Sequence, residues 1–188
     1  TYPCPIQMGG KNANGQMLSI GNYYLSLDGK PFFGICGEAH FSRINRELWE
    51  DEIIKMKAGG LNMIATYIFW IHHEEIEGTF DFSGNKDLRL FLELCKKNHM
   101  YVILRIGPFS HGECRNGGFP DWIYGQPFDI RCDDPSYLYY TRRFYEQIYQ
   151  QAKGLLFKDN GPVIGVQLEN EHEHASCPVS YTHLTLPT

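Results

Sequence analysis

No apolar run in this chain approaches the ~20 residues that a membrane-spanning helix needs. No Gly-rich phosphate turn of the GxGxxG or GxxxxGK type is present, which argues against a nucleotide-binding α/β sheet. Positive charge is scarce: 17 Lys and Arg stand against 22 Asp and Glu, a net charge of -5, with no basic stripe. Nucleic acid is therefore not the expected partner. Six cysteines (Cys4, Cys36, Cys95, Cys114, Cys132, Cys177) are scattered without CxxC or metal-ligand spacing. Cys36 and Cys95 lie in apolar runs and are expected as buried thiols, while a disulfide among the others stays open. The sequence has no Asn-x-Ser/Thr acceptor and no charged-then-apolar leader after Thr1. Export is thus either not encoded or signalled by residues that are not here, and the compartment is unknown.

What remains is a globular composition. At 188 residues with 43% hydrophobic content, the chain has material for one sizeable core. Aromatics make up 14%, which suits sugar stacking and a packed interior equally. Residues 1–22, rich in Gly, Asn and Gln, read as a loose lead-in. A small hairpin is expected over 23–33, turned at Asp28-Gly29. Strands are expected over 32–36, 61–69, 101–106 and 163–168. Between them, helical spacing marks 46–58, 87–97 and 135–153, the second with Leu88, Phe91, Leu92 and Cys95 at i, i+3, i+4, i+7. Gly59-Gly60 should end the first helix. Short strands alternating with amphipathic helices predict an α/β fold with a parallel sheet.

Periodicity does not separate a β/α barrel from an open sheet, but the strand ends do. Each strand runs into polar and aromatic residues: Gly37-Glu-Ala-His40, Tyr67 with 70–75, 107–120, and Glu169-Asn-Glu171. Four stocked strand ends fit the C-terminal face of a (β/α)8 TIM barrel, present here as about its first four β/α units. Residues 1–30 are then lead-in and hairpin, and 31–177 the N-terminal half of the barrel.

The motifs Gly37-Glu-Ala-His-Phe-Ser-Arg43, Thr66-Tyr-Ile-Phe-Trp70, Leu104-Arg-Ile-Gly-Pro-Phe109, Gly117-Gly-Phe-Pro-Asp-Trp122 and Gly161-Pro-Val-Ile-Gly-Val-Gln-Leu-Glu-Asn-Glu171 resemble those of glycoside hydrolase family 35, the β-galactosidase family. The resemblance runs from about Leu25 to Glu171, in order. It implies a barrel with extra β domains, and exo-hydrolysis of terminal β-galactosides with retention of configuration. By it, Glu171 is the catalytic acid/base and Asn170 holds the sugar 2-hydroxyl, a contact that strengthens in the transition state. It also marks Tyr67, Gly112 (through its backbone) and Glu113 as substrate contacts. The family's nucleophile lies at the end of the seventh strand, far beyond Glu171, and only residues 172–188 follow here. The nucleophile is therefore absent from this chain, which alone is expected to be inactive. No cofactor or metal is implied, and family members are commonly secreted, periplasmic or lysosomal.

Three stretches depart from the pattern. The usual Trp-Asn-x-His-Glu-Pro reads Trp70-Ile-His-His-Glu-Glu75, Asn-Glu-Tyr reads Asn170-Glu171-His172, and Ser110-His-Gly-Glu113 replaces Cys/Asn-Ala-Glu. A related exo-β-glycosidase with another sugar preference, or a non-catalytic carbohydrate-binding remnant, is the alternative.

A retaining glycosidase needs two carboxyls ~5–5.5 Å apart, one protonated and one ionised. Burial, with the charges of Glu169 and Glu113, should keep the proton on Glu171. Each assignment has a plainer counterpart: Asn170 as a cap residue, Tyr67 as filler of the barrel mouth. Trp70 and Trp122 are candidate sugar platforms. Arg105, inside an apolar strand, should pair with a buried carboxylate, and His40 and Arg43 should orient the acidic cluster or form a structural bridge. His72, His73, His172 and His174 lack metal-site spacing. Residues 178–188 match nothing in the family and resemble translated adapter sequence, so they are expected to be a non-native tail. A half barrel would expose sheet edges and uncovered apolar seats, and is expected to aggregate when expressed alone.

Overall fold

The computed structural model describes residues 8–171. Cys4, Cys177, His172, His174 and the segment 178–188 lie outside the described residues.

Four short strands open the described chain: β1 (Gly9–Lys11), β2 (Met17–Ile20), β3 (Leu25–Leu27) and β4 (Lys30–Phe32). They form an antiparallel sheet in chain order. Part of the expected loose lead-in is therefore a structured meander. Strands this short carry no readable period, and cross-strand pairing holds them instead. Asp28 Oδ1 accepts from the Met17 amide at 2.7 Å. The hairpin turns at Asp28-Gly29 as expected, with φ of 53° and 74°, the doubly positive geometry of a tight hairpin turn.

The barrel part follows: β5 (Cys36–Glu38), α1 (Trp49–Ala58), β6 (Met63–Tyr67), the single turn α2 (Trp70–His73), α3 (Leu88–Lys97), β7 (Tyr101–Gly107), α4 (Pro135–Ala152) and β8 (Val163–Leu168). The first strand begins later than the apolar run predicts. Phe32 belongs to the hairpin, and the Asn62 side chain holds residues 33–35 apart by bonding Phe33 O (2.9 Å) and Ile35 N (2.8 Å). Helix ends follow local chemistry. Asp87 Oδ1 accepts from Leu90 N at the start of α3, and Asp134 caps α4 ahead of Pro135. Gly60, at φ 93°, takes the left-handed position just past α1.

Strands β5-β6-β7-β8 form one parallel sheet in chain order. A doubly wound sheet reverses its order at a switch point, whereas consecutive parallel neighbours are the pattern of a β/α barrel wall. The core lies between sheet and helices. Leu88, Phe91, Leu92 and Cys95 of α3 are at most 2% exposed, packed with Trp49 and Ile53 of α1, Val102 and Leu104 of β7, and Phe144 and Ile148 of α4. Burying each large apolar side chain contributes about 1.5–3 kcal/mol.

One burial expectation needs correcting. Cys36 is exposed, on a strand that among the described residues has β6 as its single neighbour; Cys95 is buried as expected. The run 163–168 is not uniformly buried either. Val163 is covered but Val166 is 40% exposed, since among the described residues β8 has β7 as its single neighbour. Cys114 is a free thiol, and Cys132 Sγ donates to the Asp129 carbonyl at 3.1 Å.

Candidate active site

The parallel register brings the strand ends to one edge. Tyr67 lies opposite Arg105, Arg105 opposite Gln167, and Gly107 opposite Leu168. Glu38 ends β5, and Glu169, Asn170 and Glu171 follow β8 directly.

Arg105 occupies the centre of this edge. Its guanidinium donates to Gln167 Oε1 from Nε (3.0 Å) and to Asn170 Oδ1 from Nη2 (3.0 Å), and Nη1 pairs with Glu38. Its Cζ sits 3.7 Å from the centroid of the Tyr67 ring, a cation–π contact. The expected carboxylate partner exists, but it is not buried: the Glu38 side chain is 43% exposed.

Tyr67 is buried, and burial pushes its hydroxyl up to about 12. Arg105 opposes that shift, while the charges of Glu38, Glu171 and Glu113 add to it. At neutral pH Tyr67 therefore stays protonated and can donate a hydrogen bond. His40 accepts from the Tyr67 amide through Nδ1 at 3.3 Å and keeps Nε2 3.9 Å from Glu38. Burial holds its pKa below the usual imidazole range. Arg43 does not join the acidic cluster; it lies over Phe69, 4.5 Å from the ring centroid.

Gly112 and Glu113 arrive from the loop after β7. A Cβ on Gly112 would sit 3.0 Å from Phe69 and 3.4 Å from Tyr67, so the absent side chain lets this backbone lie on the two rings. Glu113 is exposed, close enough for its charge to act on both Tyr67 and His40.

Glu169 corrects an expectation. It is 5% exposed, its Oε1 accepts from Phe109 N (2.9 Å), and its Oε2 pairs with Arg131 Nε (2.7 Å). Its charge is thus matched by an arginine rather than turned on Glu171. Glu171 itself is exposed.

Arg131 is the residue that sequence reasoning missed. It sits in the irregular loop before α4, where no period marks it. It lies 3.9 Å over the Phe109 ring and donates through Nη2 to the carbonyls of Asn170 (2.8 Å) and Glu171 (3.0 Å). Left-handed backbone also gathers here, at His111, Glu113, Arg131, Glu169 and Glu171 (φ 47–57°). Each such non-glycine residue costs about 1–3 kcal/mol, and such strain concentrates at functional sites.

The model for glycosyl hydrolases family 35 matches residues 24–186. The chain belongs to glycosyl hydrolase family 35. A β-galactosidase of Xanthomonas manihotis is 40% identical over 146 residues, covering 77% of this chain and 24% of that protein. The mouse β-galactosidase is 39% identical over 156 residues, 82% of this chain and 24% of its own. The chain therefore spans about a quarter of the length of these relatives. Among solved structures, an exo-β-1,4-mannosidase from Opitutaceae bacterium strain TAV5 superposes with a TM-score of 0.60 at 16% identity, covering 89% of this chain and 27% of that one. The structural neighbours are TIM-barrel glycosidases, so the barrel fold expected from the strand ends holds for this family 35 chain.

One aromatic assignment changes. Trp70 is fully buried, stacked on Phe144 (4.9 Å between centroids, 4° between planes), and donates Nε1–H to Glu74 Oε2 at 2.7 Å. It is core, not a sugar platform. Trp122 is half-buried, with its indole N–H tied to the Glu74 carbonyl at 2.8 Å. Buried Glu74 organises both, and its Oε1 also accepts from Gly78 N (2.8 Å) and pairs with Arg143.

The histidines next to Glu74 serve the fold. His72 Nδ1 bonds Ser42 Oγ at 2.9 Å. His73 is buried between Phe82 (4.4 Å) and Phe41 (5.9 Å), with Nδ1–H donating to Asp81 O at 3.0 Å and Nε2 left without a partner. Burial holds its pKa down at about 4. The unfolded chain takes up this proton near 6.5, so the contribution to stability is complete above about 6.5 and drains away as pH falls to 4. We expect the unfolding free energy from urea titrations to drop through that window by on the order of 3 kcal/mol from this residue, and His73→Phe to flatten that part of the profile. An unchanged slope in the variant would assign the titration to another group. Among the described residues, no group of three or more His, Cys, Asp and Glu could hold a metal ion, and no helix is long and apolar enough to cross a membrane.

Proposed function

We propose that this chain is the N-terminal half of the catalytic barrel of a retaining exo-β-galactosidase that releases terminal β-galactose from glycans. The observation that carries this reading is the placement of Asn170 and Glu171 at the C-terminal end of β8, with the Asn170 amide gripped by Arg105. Glu171 donates a proton to the leaving glycosidic oxygen as a carboxylate attacks C1. Ionised, it then takes a proton from the water that hydrolyses the glycosyl-enzyme. The attacking carboxylate is supplied by a later strand, outside these 188 residues, so the four β/α units alone are inactive. Asn170 holds the 2-hydroxyl, Tyr67 donates to a sugar oxygen, and Glu113 and the Gly112 backbone bind further hydroxyls.

A different sugar preference is the second reading. Ile71 and Glu75, two departures from the family pattern, line a cavity of about 260 Å³ with His72, Lys86, Arg115 and Asp121. Proton NMR of the full-length protein acting on alkyl β-galactoside, β-glucoside and β-mannoside tests both. β-Galactose as the first product supports the proposal. Faster release of another sugar supports the second reading, α-galactose would exclude the retaining mechanism, and no turnover of any substrate would leave a binding protein.

A further inference from the structure

Asn170 can face its substrate in two ways, because an amide flip exchanges a donor for an acceptor. In this site the flip is decided by chemistry. A guanidinium offers only donors, so the atom 3.0 Å from Arg105 Nη2 must be Oδ1. Gln167 Nε2, another donor, approaches the same oxygen at 3.4 Å. The Nδ2 group of Asn170 is then the end left to donate, as a contact to a sugar hydroxyl oxygen requires.

Arg105 is in turn held from several directions. Glu38 on β5 binds Nη1, Gln167 on β8 binds Nε, and the Tyr67 ring packs against its face, so the fork spans the sheet from β5 to β8. With its side chain 18% exposed, the guanidinium is anchored rather than solvated.

We propose that Arg105 is a positioning residue for the 2-hydroxyl contact: it fixes the Asn170 amide so that Nδ2, and not Oδ1, faces the sugar. The inference rests on the galactosidase reading above. Lysine would keep the charge but not the planar fork that reaches Gln167 and Asn170 together.

The test compares full-length wild type, Arg105→Gln, Arg105→Lys, Asn170→Ala and the Arg105→Gln/Asn170→Ala double variant. The substrates are 4-nitrophenyl β-galactoside and its 2-deoxy analogue. We expect Arg105→Gln to lose about a hundredfold in kcat/KM on the galactoside, the scale of a misplaced contact. Arg105→Lys should recover only part of it. On the 2-deoxy substrate the losses should shrink to a few-fold, which also shows that the variants are folded. The double variant should be no worse than Asn170→Ala on the galactoside. Damage to Tyr67 would instead appear on both substrates, so equal losses on the two, or fully additive losses in the double variant, overturn the proposal. Wild type inert toward galactosides sinks the galactosidase reading instead. In that case, NMR of 15N-asparagine-labelled protein still tests the grip: an Asn170 side-chain NH2 signal identical in wild type and Arg105→Gln overturns it.

Discussion

On the proposed acid/base role, Glu171→Gln in the full-length protein is expected to lower kcat on an alkyl β-galactoside by about 10²–10⁴-fold, the usual contribution of a positioned general acid. An alkoxide leaves poorly without a proton, so this substrate reports the acid directly. 2,4-Dinitrophenolate needs no proton, so the first step on that galactoside should be nearly unimpaired. The glycosyl-enzyme should then accumulate, because the amide of the variant cannot take a proton from water. Azide, which needs no general base, should restore turnover and yield β-galactosyl azide. The side chain is exposed here, with Arg131 holding the Asn170 and Glu171 carbonyls, so the substitution should leave stability within about 0.5 kcal/mol of wild type. Equal losses of kcat/KM, which reports the first step, on both substrates, or no rescue by azide, would remove Glu171 from the acid/base role.

Glu74→Gln is expected to destabilise the protein by about 3–5 kcal/mol. Glu74 is fully buried, and every neighbour of its carboxylate is a donor: Trp70 Nε1, Gly78 N and the Arg143 guanidinium. A glutamine has the same shape, but its NH2 must face one of those donors, and the arginine loses its counter-charge. Arg143 keeps 24% side-chain exposure, and water can compensate part of the loss, which places the effect toward the lower end. Chemical denaturation of the full-length protein measures it. A loss under about 1 kcal/mol would show that the pair adds little net stability, as some buried ion pairs do. Arg143→Met, which removes the charge from the other side, separates the carboxylate's two roles. It leaves the Trp70 and Gly78 bonds in place but strips the fully buried carboxylate of its counter-charge, so it should cost at least as much as Glu74→Gln.

Much of this was legible along the chain because it is local chemistry. The stripe Leu88, Phe91, Leu92, Cys95, the cap residues Asp87 and Asp134, the turn at Asp28-Gly29 and the alternation of strand with helix are each written within a few residues. The polar residues that follow each strand likewise marked the edge where the candidate site gathers, since a strand's C-terminal end is a position in sequence as well as in space. The short strands β1 and β2 were illegible for the complementary reason: they hold together by pairing with one another and with β3, not by a period of their own.

The site's electrostatics belong to the tertiary structure. Arg105 could be seen to need a partner, but Glu38 lies 67 residues away and Asn170 lies 65, and parallel registry alone decides that they meet. Arg131 carried no signal at all, yet it neutralises Glu169 and holds the backbone of the two residues after it. Trp70 was plausible as a sugar platform until the stacked Phe144, 74 positions on, closed over it. A side chain's type and local period are properties of a few neighbouring residues. Its charge partners and its access to solvent are set by residues that folding brings from other strands, so only the assembled sheet decides them.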